Sequence, residues 1–150
     1  MIKYKSNISQ VHLVRDREVP KYKIRSSRDI FNFIKEHIDN DNMSVIEEFW
    51  TIYLNNANNL VGIARISEGG ITGTVADIRK ILATGLLLVA TQIIVLHNHP
   101  SNNLTPSESD KHLTKRIKLA SEVMDIRLLD HVIVGLDNEG YYSFADEGEL

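Results

Sequence analysis

Two rhythms of hydrophobic and polar positions run along this chain, and the switches between them mark its elements. In "SSRDIFNFIKEHI", residues 26–38, Ile30, Phe31, Ile34 and Ile38 recur at helical spacing, which predicts a helix capped by Ser27. "VIEEFWTIYL", 45–54, is rich in β-branched and aromatic residues and predicts a strand. "NNANN" then reads as a turn and "LVGIARIS" as a returning strand, so a hairpin is expected. Asp77 caps the next predicted helix, with Ile78, Ile81, Leu82 and Leu86 on one face. "TQIIVLHNH", 91–99, is a nearly continuous apolar run of the buried-strand type. A helix follows from "PSESD" through "KHLTKRIKLASEVM", then a strand "IRLLDHVIVG", a turn "LDNEG" and a last strand "YYSFAD". Helices alternate with strands and a hairpin is included. The fold class is therefore α/β: one domain, with a mixed β-sheet flanked by helices.

Composition narrows the chemistry. The chain has 150 residues, 43% of them hydrophobic, enough for one sizeable core. It has no cysteine, so any metal must be held by His, Asp, Glu, backbone or water. The most apolar run, "ILATGLLLVATQIIVL", spans 81–96 with Thr, Gly and Gln inside and is too short to cross a bilayer. "MIKYKSNISQ" has no apolar core of signal-peptide length, so a cytoplasmic protein without membrane contact is expected.

The net charge of −3 is unevenly spread. Residues 1–25 read as extended and irregular, with alternation in "VHLVRDREV". They carry Lys3, Lys5, Arg15, Arg17, Lys21, Lys23 and Arg25 against only Asp16 and Glu18. Such an arm can contact nucleic-acid phosphates. It also fits an edge strand whose charges block aggregation. With no aromatic interleaving to stack bases, any nucleic-acid binding is expected to be weak.

The chemistry concentrates in "HNHPSNNLTPSESD", 97–110. On a strand, residues two apart point to the same side, so His97 and His99 project together while Asn98 points away. Thr105 suits a helix N-cap, Pro106 the first helical position and Glu108 the third, a capping-box pattern. Ser107 and Asp110 then share a helix face. If the helix start folds over the strand end, Asp110 completes a His-His-Asp set. Three protein ligands on zinc leave a fourth position for water, the arrangement of a catalytic site. Ser107 could donate to a developing oxyanion. An H-x-H pair alone is weak, and the loop composition is ordinary for a turn; the combination points to a metal.

Two histidines one apart, then seven residues, Ser, two residues and Asp resemble the JAMM (JAB/MPN) metalloprotease motif. "LHNHPS", "PSESD" and "LLDHVIVG" are similar more narrowly to the RadC-like branch of that superfamily. The resemblance covers roughly residues 44–150, leaving 1–43 as a basic arm and helix packed on the domain. It implies a curved mixed sheet of the JAB/MPN, cytidine-deaminase-like kind. It also implies Zn²⁺ on His97, His99 and Asp110, Ser107 supporting the oxyanion, and a glutamate in "IEEFWTIYLNN" as general base. The family spacing to Phe49 selects Glu47. Many relatives have glycine at the position of Asn102; Asn also tolerates the left-handed backbone of a tight loop. Long RadC-like chains carry a helix-hairpin-helix DNA-binding region, and nothing in 1–43 resembles one.

Periodicity alone does not separate Glu47 from Glu48. Glu47 alternates with Phe49, Thr51 and Tyr53, and Glu48 with Trp50, Ile52 and Leu54. The second set is the more apolar and is expected in the core, with Glu48 escaping at the strand's end. Asp130 and His131 face opposite ways on their strand, so at most one approaches the site, as a supporting or packing residue. His12, His37 and His112 are expected at the surface, and Lys111, Lys115, Arg116 and Lys118 on a solvated helix face. "EGGITGTV", through the resemblance, would line a channel for an extended peptide. The expected function is a zinc-dependent hydrolase, a metallopeptidase acting on a peptide or isopeptide bond of a protein or peptide substrate. Its rivals are a non-catalytic interaction module of the same fold and a nucleic-acid-associated factor of the DNA-repair type.

Overall fold

The structure is a computed structural model that describes residues 20–38, 46–69, 76–135 and 140–150. Its elements run α1 (Ser27–His37), β1 (Glu48–Leu54), β2 (Leu60–Glu68), α2 (Ile78–Leu87), β3 (Gln92–Asn98), α3 (Glu108–Val123), β4 (Arg127–Val134) and β5 (Tyr141–Ser143). The strands form one open mixed sheet in the order β2-β1-β3-β4-β5. Among the described strands only β3 and β4 are parallel, and α3 makes the crossover between them. β1 pairs antiparallel with β2 and β3, and β5 closes antiparallel on β4. This agrees with the α/β single-domain expectation, including the hairpin across residues 55–59.

Strand alternation divides the core in two. Ile52, Leu54, Ile94, Leu96, Val132 and Val134 pack with Ile30, Phe31, Phe33 and Ile34 of α1. Phe49, Tyr53, Ile93, Val95 and Leu128 pack with Ile81 of α2 and Ile117 of α3. The sheet is therefore apolar on both faces, which explains why β3 reads as a continuous hydrophobic run. Burying any one of these large side chains contributes about 1.5–3 kcal/mol. His97 has the parity of Ile93 and Val95, so the end of β3 delivers it to the α2–α3 side.

Several local expectations are corrected. Ser26, not Ser27, caps α1 by accepting from Asp29 N at 3.2 Å. The Ser27 hydroxyl instead donates to Asp146 Oδ2 at 2.6 Å. On α2 the buried positions are Ile81 and Gly85, while Leu86 is 49% exposed, because at 3.6 residues per turn it lies about 140° round the helix from Ile81. The last strand stops at Ser143; Phe144 N then bonds His131 O at 3.0 Å and the chain turns. His37 is exposed, as expected, and stacks on Phe33 with centroids 4.6 Å apart. His112 is exposed as expected.

Of the basic arm, Pro20–Arg25 is described. Lys23 bridges to Asn59 and Ile24 is buried, while Lys21, Lys23 and Arg25 are exposed. The alternation "VHLVRDREV", His12, most of "EGGITGTV" and most of the turn "LDNEG" lie outside the described residues. Among the described residues, no helix is long and apolar enough to cross a membrane.

Candidate metal centre

The site is assembled at the C-terminal end of β3, where the parallel pair β3–β4 meets the start of α3. His97 is 1% exposed and opposes Phe49 in the β1–β3 register. The Phe49 ring stacks on it at 5.9 Å. His99 lies one residue past the strand. Its backbone N bonds Val134 O at 3.0 Å, continuing the sheet pairing, and its Nδ1 meets Asn103 O at 2.5 Å. A carbonyl only accepts, so His99 carries its proton on Nδ1 and turns Nε2 toward His97. The loop beyond is tight: Asn102 has φ 59 and returns its N–H to His99 O at 2.9 Å. The left-handed backbone that Asn was expected to tolerate is present. Gly135 lies beside it; a Cβ there would sit 2.0 Å from Asn102 Oδ1 and the Asn102 side chain would have to move.

The start of α3 differs from expectation. Ser107, not Thr105, is the N-cap, and Asp110, not Glu108, closes the capping box. Ser107 Oγ accepts from Asp110 N at 3.1 Å, while Asp110 Oδ2 accepts from Ser107 N at 2.7 Å and from Ser107 Oγ at 2.6 Å. Thr105-x-x-Glu108 and Ser107-x-x-Asp110 both fit the sequence pattern. The second wins because Asp110 also meets two imidazoles, and Thr105 N is already held by Asn103 Oδ1 at 3.0 Å. Pro106 therefore precedes the cap instead of opening the helix.

His97, His99 and Asp110 converge, with one ligand atom from each lying within 4.8 Å of the others. His97 Nε2 is 2.9 Å from His99 Nε2 and 3.3 Å from Asp110 Oδ1; His99 Nε2 is 3.6 Å from Asp110 Oδ2. Tetrahedral zinc with bonds of about 2.0–2.1 Å separates its ligand atoms by roughly 3.3 Å. The donor set therefore fits such an ion after the two imidazole nitrogens part by a few tenths of an ångström. Electrostatics agree. Burial pushes the Asp110 carboxyl up, but its contacts with His97, His99 and Ser107 hold it far below the usual carboxylate range, so it is an anion. The nearby Asp110 carboxylate raises His99 above its ordinary 6.5 against the effect of burial, and the charge of Glu47 adds to the rise.

Glu47 lies just before β1, half-buried. Asn98 positions its backbone from the neighbouring strand: Oδ1 accepts from Glu48 N at 2.7 Å and Nδ2 donates to Ile46 O at 2.9 Å. One side-chain amide thus clamps both flanks of Glu47. Glu48 does not escape at the strand's end. It is 2% exposed, bonded by Arg65 at 2.7 Å and by Trp50 Nε1 at 3.0 Å. That pairing is what makes a buried carboxylate tolerable.

Asp130 and His131 do face opposite ways. Asp130 accepts from Ser143 Oγ and Ala145 N, which pins the C-terminal turn, and burial raises its pKa. His131 is fully buried, with Nε2 2.9 Å from His97 Nδ1 and Nδ1 2.6 Å from Thr114 Oγ1. Burial lowers its pKa well below 6.5, so it is neutral.

The RadC-like JAB domain family matches residues 24–149. The chain belongs to this family. It is 45% identical over 126 residues to a UPF0758 protein of Flavobacterium johnsoniae, covering 84% of this chain and 53% of that one. It is 42% identical over 104 residues to a UPF0758 protein of Porphyromonas gingivalis, covering 69% and 45%. With UPF0758 protein YfjY of Escherichia coli it shares 40% over 104 residues, 69% of this chain and 64% of that one. It thus spans less than two thirds of each of these relatives. The five-stranded mixed sheet with three helices agrees with the JAB/MPN fold. Two parts of this RadC-like site were not foreseen, the Asn98 clamp and the contact through Thr114. The only signals for them are a polar side chain inside an apolar strand and a threonine one turn after Asp110.

Proposed function

We propose that this RadC-like JAB domain is a zinc-dependent hydrolase, a metallopeptidase cleaving a peptide or isopeptide bond. The convergence of His97, His99 and Asp110 is the observation that carries this reading. These three would hold the ion, and zinc bound there would supply Lewis acidity, bringing the pKa of a water toward neutrality and polarising the scissile carbonyl. The chain's own groups do the rest. Glu47, whose flanking backbone is clamped by Asn98, takes the proton of the attacking water and returns it to the leaving amine. Ser107 is exposed, so its hydroxyl can turn from Asp110 to the developing oxyanion without repacking.

A second reading, a non-catalytic module that keeps the metal, is favoured by one observation: the Ser107 hydrogen is already committed to Asp110. Hydrolysis of a quenched fluorescent peptide library, and of isopeptide-linked substrates, by the zinc-loaded protein separates the two. Turnover that Glu47→Gln abolishes supports the enzyme. Stoichiometric zinc without turnover on any substrate supports the module.

A further inference from the structure

We infer that His131 and Thr114 are positioning residues that fix the proton of His97 on Nδ1, so that its Nε2 lone pair is presented to the metal. The inference rests on the reading of His97, His99 and Asp110 as a metal site. A histidine can bind a metal through Nε2 only if that nitrogen is unprotonated, and the hydrogen bond at the other nitrogen decides which tautomer is present. For His99 the matter is settled locally, because Nδ1 faces the carbonyl of Asn103. His97 has no such direct acceptor at Nδ1. It faces another imidazole, His131 Nε2, at 2.9 Å, and an imidazole nitrogen can either donate or accept.

The ambiguity passes along a chain of contacts until a one-way group resolves it. His131 Nδ1 lies 2.6 Å from Thr114 Oγ1, and a hydroxyl is also two-way. Thr114 Oγ1 in turn lies 2.6 Å from Asp110 O, a backbone carbonyl that can only accept. The hydroxyl hydrogen therefore goes to Asp110 O, the bond a helical threonine makes to the carbonyl four residues back. Thr114 Oγ1 is left to accept from His131 Nδ1–H. Neutral His131 then has a bare Nε2, which accepts from His97 Nδ1–H, and His97 Nε2 is free to ligate. The opposite order would put a hydrogen on His97 Nε2 and block the site. A charged His131 would do the same, and it is disfavoured because the ring is fully buried, stacked on Phe144 at 4.8 Å and edge-on to Phe49. The chain starts at a ligand and ends on the backbone of another, Asp110. One residue thus offers its carboxylate to the metal and its carbonyl to set the tautomer of the opposing histidine.

The test compares wild type, Thr114→Val and Thr114→Ser by two readouts. The first is zinc affinity by competition with a chromophoric chelator. The second is the ring ¹⁵N shifts of His97 in metal-free protein, at a pH above the ordinary imidazole range. Valine keeps the shape but removes the hydroxyl, so zinc binding should weaken roughly 10–100-fold. In that variant His97 should pass from a single Nδ1–H tautomer to a mixture. Serine keeps the hydroxyl and should restore both. The inference is overturned if Thr114→Val matches wild type in either readout, or if Thr114→Ser fails as badly as valine, which would mean packing alone. It is also overturned if wild-type His97 carries its proton on Nε2. That last observation still decides the matter if the valine variant does not fold. A wild type that binds no zinc yet shows the Nδ1–H tautomer, lost in Thr114→Val, would leave the relay standing and remove the metal reading alone.

Discussion

Replacing Asp110 with Ala separates two roles that one carboxylate plays, and the geometry gives a magnitude for each. The structural role is half of a capping box. The bond from Asp110 N to Ser107 Oγ, 3.1 Å, belongs to the backbone and survives the substitution. What is lost is Oδ2 as acceptor for Ser107 N at 2.7 Å and for Ser107 Oγ at 2.6 Å, and Ser107 is exposed, so water can replace it. The cost in metal-free protein should be about 0.5–1 kcal/mol, the low end of the capping range. For a domain of this size that lowers Tm by roughly 1–4 °C. The chemical role is larger. Asp110 is the only anion in the His97–His99–Asp110 group, and its removal should weaken zinc at least about 100-fold, beyond what loss of a ligand's hydrogen-bond partner costs. Free zinc at about 100 times the wild-type Kd should stabilise wild type by about 2.7 kcal/mol but Asp110→Ala by no more than roughly 0.4 kcal/mol. Thermal unfolding of both proteins, with and without buffered zinc, reads all four states. A variant that gains as much from zinc as wild type would refute ligation by Asp110. A metal-free loss of several kcal/mol would refute the capping argument.

The other predictions address the groups around the ligands. Glu47→Gln should keep zinc but lower turnover about 10²–10⁴-fold, because the amide cannot accept a proton; Glu48→Gln should leave turnover intact and cost about 1–3 kcal/mol by weakening the buried bond with Arg65. The reverse pattern in paired kinetics and denaturation would reject the assignment. Asn98→Ala should lower kcat with zinc affinity near wild type, since it releases the backbone on both sides of Glu47; equal losses in both would make it merely structural. His131 is held neutral below its ordinary 6.5, so the unfolded chain binds one proton more and stability falls as pH drops through that value. The slope from this group is about 1.4 kcal/mol per pH unit. Calorimetric unfolding of metal-free protein in buffers of different ionisation enthalpy should show that proton uptake, and His131→Gln should lack it; identical uptake would contradict a neutral His131.

The convergence of His97, His99 and Asp110 was legible because it depends on short-range spacing. A strand puts His97 and His99 on one side, and three positions on a helix put Ser107 and Asp110 together. The order of elements was legible for the same reason, since each is announced by its own hydrophobic period. Errors arose where two neighbours offered the same local chemistry. Ser26 and Ser27 can both cap α1, and two overlapping S/T-x-x-acid patterns precede α3; tertiary partners chose between them, Asp146 for Ser27 and the imidazoles for Asp110. Glu48 was misplaced because a buried carboxylate is intelligible only with Arg65, seventeen positions away on β2. The Asn98 clamp and the Thr114–His131 contact join residues 50 and 17 positions apart, respectively. No local pattern encodes such contacts; they follow from how the strands pair and how α3 lies against β4.

Isothermal titration of zinc into chelator-stripped protein, for wild type and His97→Ala, tests the metal centre most directly. One zinc per chain in wild type, with binding lost when His97 is removed, is the expected result. Absence of binding in wild type, or equal binding in both, would contradict the account.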